Sequence, residues 1–225
     1  MSAPSRRPVL GFAAAAALAC GDIAAPSRSE VNEWWLEAPS VPGPGLDTLS
    51  FHWGKENLPV RIWVEDLEGL PGHMAAAIDV WESAFLYGEF QATLVTDSAA
   101  ADVLVRSGSA PSLVPAKRLH SALAPECTGA TDLDVDVESR QLTLPIRVFV
   151  AGSLPDAPGL DRCLALTSVH ELGHALGIFA HSPHPEDVMF ADPGVDLPSA
   201  RDQRTAEAAY HTPPTLEAVR FEPLE

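Results

Sequence analysis

The residues best suited to do chemistry are His170, Glu171 and His174, which stand in the run His-Glu-Leu-Gly-His. Residues four apart lie about one helical turn apart, roughly 6 Å along the axis, so both imidazoles project from one face. Two such histidines can hold a single Zn²⁺ ion. Glu171 lies about 100° further around the helix, so we expect it to act on a zinc-activated water rather than to bind the metal.

A catalytic zinc site needs a third protein ligand as well as an open coordination position. Gly177 follows His174 by three residues, and a glycine there is typical of a helix end in a left-handed turn. Such a turn lets the chain reverse, and His181 is the first histidine after it. His184 is the alternative ligand, although it stands between two prolines and is expected at the surface or at the pocket rim.

The residues from 170 to 177, then His181-Ser182 and then Met189, resemble the metzincin zinc peptidases, above all their matrixin branch. The signature of that clan is H-E-x-x-H-x-x-G-x-x-H followed by a methionine turn. Here three residues, 178–180, separate Gly177 from His181, where the signature has two. Because the extra residue follows the predicted helix end, we expect it to cost only a small bulge. Inside the helix it would rotate the ligand by about 100°.

The resemblance implies a zinc-dependent endopeptidase that hydrolyses peptide bonds. It also implies that His170, His174 and His181 are the zinc ligands. Glu171 would be the general base, and Met189 would form a hydrophobic surface under the metal. A glutamate ligand on a following helix, as in thermolysin-like enzymes, is the other ligand pattern, but Glu207 is distant in sequence and would leave Met189 unexplained. A different class of function is a non-catalytic, zinc-containing surface-binding lipoprotein, for which Glu171 would be superfluous.

Hydrophobic periodicity predicts the helices and strands around these residues. Strands are predicted at 58–66, 91–96 and 102–106 and as a hairpin over 132–150; helices are predicted at 71–90, 157–177 and 198–211. The apolar stripe of the zinc helix consists of Ala165, Val169, Leu172 and Leu176, so the ligands are expected to face away from the packed side. The resemblance implies an α+β fold of the zincin type. In it, a small twisted, mostly parallel sheet with an antiparallel edge strand packs on the zinc helix, the methionine turn and the C-terminal helix. A protein or peptide substrate would lie along an edge strand within 101–120.

The N-terminus has the composition of an export signal: two arginines, a short apolar run from Val9 to Ala19, and then Cys20. We predict a signal peptide over 1–19, with Cys20 lipidated as in bacterial lipoproteins; an ordinary cleaved signal peptide is the alternative. A Pro/Gly/Ser-rich tether over 20–50, a catalytic domain over 51–212 and a tail over 213–225 would follow. The protein is then expected at the bacterial cell envelope or outside the cell.

Charge and cysteine content limit the remaining choices. The formal net charge of −17 excludes nucleic acid and anionic membrane surfaces as partners, so any membrane contact would be through the N-terminal lipid. Cys127 and Cys163 are expected to form a disulfide in an exported domain. Asp132, Asp134 and Asp136 alternate along one predicted strand and would present either a structural Ca²⁺ site or, as we favour, an acidic solvent face. We expect a monomer.

Overall fold

The computed structural model describes residues 31–40, 43–67, 69–108, 118–120, 129–150 and 157–220, all within a unit that begins at Val31. The predicted signal segment, Cys20 and Cys127 lie outside these residues. None of the described helices has the length and apolar character needed to span a membrane.

Nine strands and three helices make up the described fold. The strands are β1 (Leu36–Pro39), β2 (Leu46–Leu49), β3 (Val60–Val64), β4 (Ala92–Val95), β5 (Val103–Ser107), β6 (Arg118–His120), β7 (Gly129–Asp136), β8 (Gln141–Val150) and β9 (Glu217–Arg220). The helices are α1 (Leu70–Glu82), α2 (Ala157–Leu176) and α3 (Ala200–Tyr210).

Seven strands form the main sheet, in the order β4-β3-β5-β8-β7-β6, with β9 also paired to β8. The pairs β3–β4, β3–β5, β5–β8 and β8–β9 are parallel, whereas β7–β8 and β6–β7 are antiparallel. The predicted α+β class with a mostly parallel sheet is therefore confirmed. The sheet differs from the prediction in that an antiparallel pair, and not a single strand, stands at its end.

Alternation of side chains explains why these segments form strands. In β8, Leu142, Leu144, Ile146 and Val148 are buried while the residues between them are half-exposed, so one face of the strand lies on the core. The helices pack on the sheet with apolar faces of their own. In α1, Met74, Ile78 and Trp81 are all buried as their spacing predicts. This helix ends at Glu82, earlier than predicted; Phe85 is still buried but follows the helix.

Parts of the predicted tether and of the predicted tail are instead folded. β1 and β2 form an antiparallel hairpin within 20–50, and Leu49 is fully buried. Between these two strands, the Ser40 amide donates to the Gly45 carbonyl. At the other end, β9 adds to the sheet, since its backbone pairs with β8. Composition alone did not reveal that these flanking residues bury apolar surface against the domain.

Candidate metal centre

Helix α2 is buried on nearly all sides, because it packs against α1, β7 and β8. His170 and His174 are 0% and 1% exposed. The expectation that the ligand face points away from packed structure is therefore wrong. Val169, Leu172 and Leu176 are buried as predicted, but the opposite face of the helix is covered as well. The histidines lie in the interior, where an unpaired polar group is costly.

The two histidines are held in one tautomer by backbone carbonyls. The Nδ1 of His170 donates to the Val188 carbonyl (2.7 Å), and the Nδ1 of His174 donates to the Ile178 carbonyl (2.6 Å). The hydrogen on each ring is then on Nδ1, which leaves the Nε2 lone pair available as a ligand. The two Nε2 atoms face each other at 3.0 Å. Lone pairs at that separation repel unless a proton or a cation lies between them.

His181 joins this pair from outside the helix. The ligand atoms of His170, His174 and His181 all lie within 4.8 Å of one another, and His181 is half-buried. His184 is exposed and does not belong to the group. Burial lowers the pKa of His170 to about 3, that of His174 well below its usual value, and that of His181 in the same direction. All three imidazoles are thus neutral near pH 7, as metal ligands must be.

Gly177 makes the reversal that brings His181 back. The helix ends at Leu176, and Gly177 follows with φ of +123°. The Gly177 amide donates to the His174 carbonyl and the Ile178 amide donates to the Gly173 carbonyl, which is the bonding pattern of a Schellman turn. A Cβ at Gly177 would lie 2.1 Å from the Phe51 carbonyl oxygen, so the position also needs a residue without a side chain.

The extra residue of the loop has a defined path. The Phe179 amide donates to the Trp34 carbonyl at 2.8 Å, and the Phe179 side chain is 6% exposed within the core. The loop closes where the Ser182 amide donates to the Met189 carbonyl (2.7 Å). The insertion is thus accommodated by a bond to the N-terminal segment and by burial of an aromatic ring.

Met189 lies directly against the backbone of α2. A Cβ at Gly173 would be 2.3 Å from the Met189 sulfur and 2.9 Å from the Trp81 ring, so Gly173 allows both side chains to approach the helix. The preceding residue, Val188, is anchored through its amide to the buried carboxylate of Asp202 (2.9 Å). Asp202 thereby fixes the carbonyl that orients His170.

Glu171 is fully buried between α2 and β7. Its Oε2 accepts a hydrogen bond from the Thr131 hydroxyl (2.6 Å), while its Oε1 has no partner among the described residues. Burial raises the pKa of the Glu171 carboxyl to about 8, although the bond from Thr131 acts in the opposite direction. A Cβ at Gly129 would lie 2.5 Å from Oε1, so this glycine makes room for the carboxylate.

Several of these positioning residues carry no signal in the sequence. Thr131 and Gly129 stand in an ordinary strand pattern, and Asp202 in an ordinary helix, about thirty residues or more from the side chains they support. Only the Ser-x-x-Asp spacing at Ser199 and Asp202 hints at a capping role, which the structure bears out.

The other predicted sites are separate from the triad. Cys163 is buried and disulfide-bonded, and its predicted partner Cys127 lies outside the described residues. The favoured acidic solvent face is wrong at Asp132, which is 2% exposed with Arg147 at 3.8 Å, and the strand register shifts between Asp132 and Asp134. Asp136 is half-buried and accepts from two amides of the β7–β8 turn. Among the described residues, the group of three or more ligating side chains that comes together is the histidine triad, and the three aspartates are not part of it. Structural calcium stays a prediction.

The chain matches no protein-family model and no curated protein. An assignment of function therefore has to rest on the residues of the site.

Proposed function

We propose that this protein is a zinc-dependent endopeptidase with a metzincin-like, matrixin-like catalytic domain. The single observation that supports this most strongly is the convergence of His170, His174 and His181 from a helix and the loop after it. The first two direct their Nε2 atoms at one another, and a buried glutamate stands between them in sequence.

The donor set suits zinc. Three neutral imidazoles are nitrogen ligands of the kind that Zn²⁺ binds in catalytic sites, which keep a fourth position for water or substrate. The facing Nε2 lone pairs of His170 and His174 also call for a positive charge between them. When bound by these residues, the ion would act as a Lewis acid that polarises the scissile carbonyl and lowers the pKa of a water towards about 7.

Glu171 is the proposed general base. Burial favours its neutral form, but a cation held by the adjacent histidines would favour the carboxylate, which would accept the proton of the attacking water and later deliver it to the leaving amine. The Thr131 hydroxyl holds one carboxylate oxygen, so the other is left to receive the proton. Gly129 supports the same role, since any side chain there would displace Oε1.

A protein or peptide is the proposed substrate, bound in extended form along the sheet edge. Of the predicted range 101–120, β5 pairs on both sides with β3 and β8, so it is interior to the sheet. β6 pairs with β7 at the end of the described strand order, so it is the candidate edge within that range. We further propose export, lipid attachment at Cys20 at the bacterial cell envelope, and action as a monomer.

The test compares three variants of the purified full chain for zinc content and for casein hydrolysis. Glu171→Gln should abolish hydrolysis and keep about one zinc per chain, because the base is lost and the ligands are not. His181→Ala should lose both zinc and hydrolysis. His184→Ala is the matched control, an exposed histidine three residues away, and should keep both.

Three results would each contradict part of the proposal. Hydrolysis that survives Glu171→Gln would exclude the proposed base. A wild-type chain that binds zinc tightly and cleaves no peptide in a library would instead favour the non-catalytic zinc-binding lipoprotein. If the His181→Ala variant still bound zinc tightly, a residue other than His181 would be the third ligand.

A further inference from the structure

The loop that carries His181 is bonded on both sides of that histidine to residues 32–34. On the N-terminal side, the Trp34 carbonyl accepts from the Phe179 amide (2.8 Å). On the C-terminal side, the Asn32 side-chain amide donates to the Ser182 hydroxyl oxygen (3.1 Å) and to Asp187 Oδ2 (3.0 Å). These contacts join residues about 145–155 positions apart in the chain.

The acceptors of Asn32 belong to a buried network. Ser182 is 3% exposed and Asp187 is 0% exposed. The Ser182 hydroxyl donates to Asp187 Oδ2 (2.6 Å), and Arg201 donates to both oxygens of the same carboxylate. Ser182 is the residue directly after His181, so this network holds the backbone on the C-terminal side of His181.

Asn32 is itself held in place by a residue of α3, near the other end of the chain. Its backbone amide donates to the Thr205 hydroxyl oxygen (2.9 Å) in α3. Its side chain is therefore aimed at Ser182 and Asp187 by an anchor that does not involve the loop. The next residue, Glu33, is exposed.

We propose that Asn32 is a positioning residue for the metal centre, which acts by holding the loop after Gly177 so that His181 meets the two helix ligands. His170 and His174 are placed by the helix, whereas His181 stands in the loop after it. Loss of a partner behind the ligands typically weakens metal affinity by about 10–100-fold. This inference rests on the proposed function, because it requires His181 to be a ligand.

The experiment measures zinc affinity by competition with a chromophoric chelator, in the Glu171→Gln background so that the result does not depend on hydrolysis. Asn32→Ala should raise the zinc dissociation constant about tenfold or more. Ser182→Ala, which leaves residues 31–34 unchanged, should do the same. The double variant should be little weaker than either single one, because both changes remove the same tie. Glu33→Ala is the matched control and should bind as tightly as the parent.

Two further measurements separate positioning from general destabilisation. The metal-free variants are first shown to be folded at the assay temperature by circular dichroism. The visible absorption of bound Co²⁺ is then compared, since its intensity reports the coordination number; Asn32→Ala should change it and Glu33→Ala should not. If Asn32→Ala does not fold, Ser182→Ala supplies the same comparison.

The outcomes distinguish the two proposals. If His181→Ala loses zinc while Asn32→Ala and Ser182→Ala bind as tightly as Glu33→Ala, the positioning role is wrong and the ligand assignment stands. If His181→Ala itself retains tight zinc, the proposed metal centre is wrong. A tenfold loss in both loop variants with an altered Co²⁺ spectrum supports the positioning role.

Discussion

Replacing Gly177 by alanine tests the geometry on which the third ligand depends. Gly177 has φ of +123°, a backbone conformation that residues with a side chain rarely adopt. The added methyl group would also lie 2.1 Å from the Phe51 carbonyl oxygen and 3.1 Å from its carbon. Both neighbours are backbone atoms, so no side-chain rotation can relieve the contact.

The expected cost has two parts. Holding a non-glycine residue in a sparsely populated φ/ψ region costs about 1–3 kcal/mol. Forcing an extra methyl group into packed structure costs about 1–3 kcal/mol more. A loss of about 4 kcal/mol, near the middle of the combined range, would lower the melting temperature by about 8–16 °C for a domain of this size.

The free energy of unfolding is measured by urea titration of the full chain, with zinc and with a chelator. Gly72→Ala is the matched control, because a Cβ there would meet nothing within 4 Å and the residue lies in the first turn of α1. That change should be neutral or stabilising by up to about 1 kcal/mol. Gly177→Ala should also weaken zinc binding, since any shift at the turn is passed on to His181.

A free energy of unfolding for Gly177→Ala within about 0.5 kcal/mol of the parent would refute this reasoning, because surface changes without a special mechanism fall in that range. Destabilisation together with unchanged zinc affinity would show that the turn does not determine where His181 lies.

Two further predictions concern the carboxylates around the site. Burial raises the pKa of Asp187, but hydrogen bonds from Arg201 and Ser182 outweigh this effect and bring the pKa down to about 2. The lowered pKa stabilises the folded state by about 2 kcal/mol above about pH 4, and this stabilisation is lost as the pH falls towards 2. Asp187→Asn should remove this acid-dependent part of the free energy of unfolding, measured by urea titration at about pH 5 and about pH 2.5; an unchanged pH dependence would contradict it. Thr131→Val should lower kcat about 10–100-fold with zinc content unchanged, because Glu171 loses the bond that orients it. Thr131→Ser should restore kcat, and equal activity in the valine variant would exclude the orienting role.

Local sequence patterns were sufficient to predict the helix and the hairpin that contain the proposed site residues. The predicted helix over 157–177 and the observed α2 (Ala157–Leu176) differ by one residue at the C-terminus. The hairpin predicted over 132–150 corresponds to β7 and β8, with its turn between Asp136 and Gln141. These predictions succeed because side-chain periodicity and glycine placement depend on neighbours within a few residues.

The segments that flank the predicted domain were harder to predict, because whether they form strands depends on residues distant in sequence. β1 and β2 lie in a Pro/Gly-rich stretch, yet they bury Ala38 and Leu49. β9 forms because β8 offers it an unpaired edge beside β5. Composition describes what a segment would do alone, whereas pairing depends on a strand about 75 residues away.

Residue spacing alone places His170 and His174 on one helical face with Glu171 beside them, and a glycine at position 177 allows the chain to reverse there. These are consequences of helix geometry and of the φ angles open to glycine. Long-range packing is what buries α2 on nearly all sides, sets the tautomer of each histidine, and brings Thr131 to Glu171 and Asn32 to the loop after Gly177. The bonds of Thr131 and Asn32 join residues 40 and 150 positions apart, and His170 bonds a carbonyl 18 positions away, so periodicity within a helix or strand does not encode them.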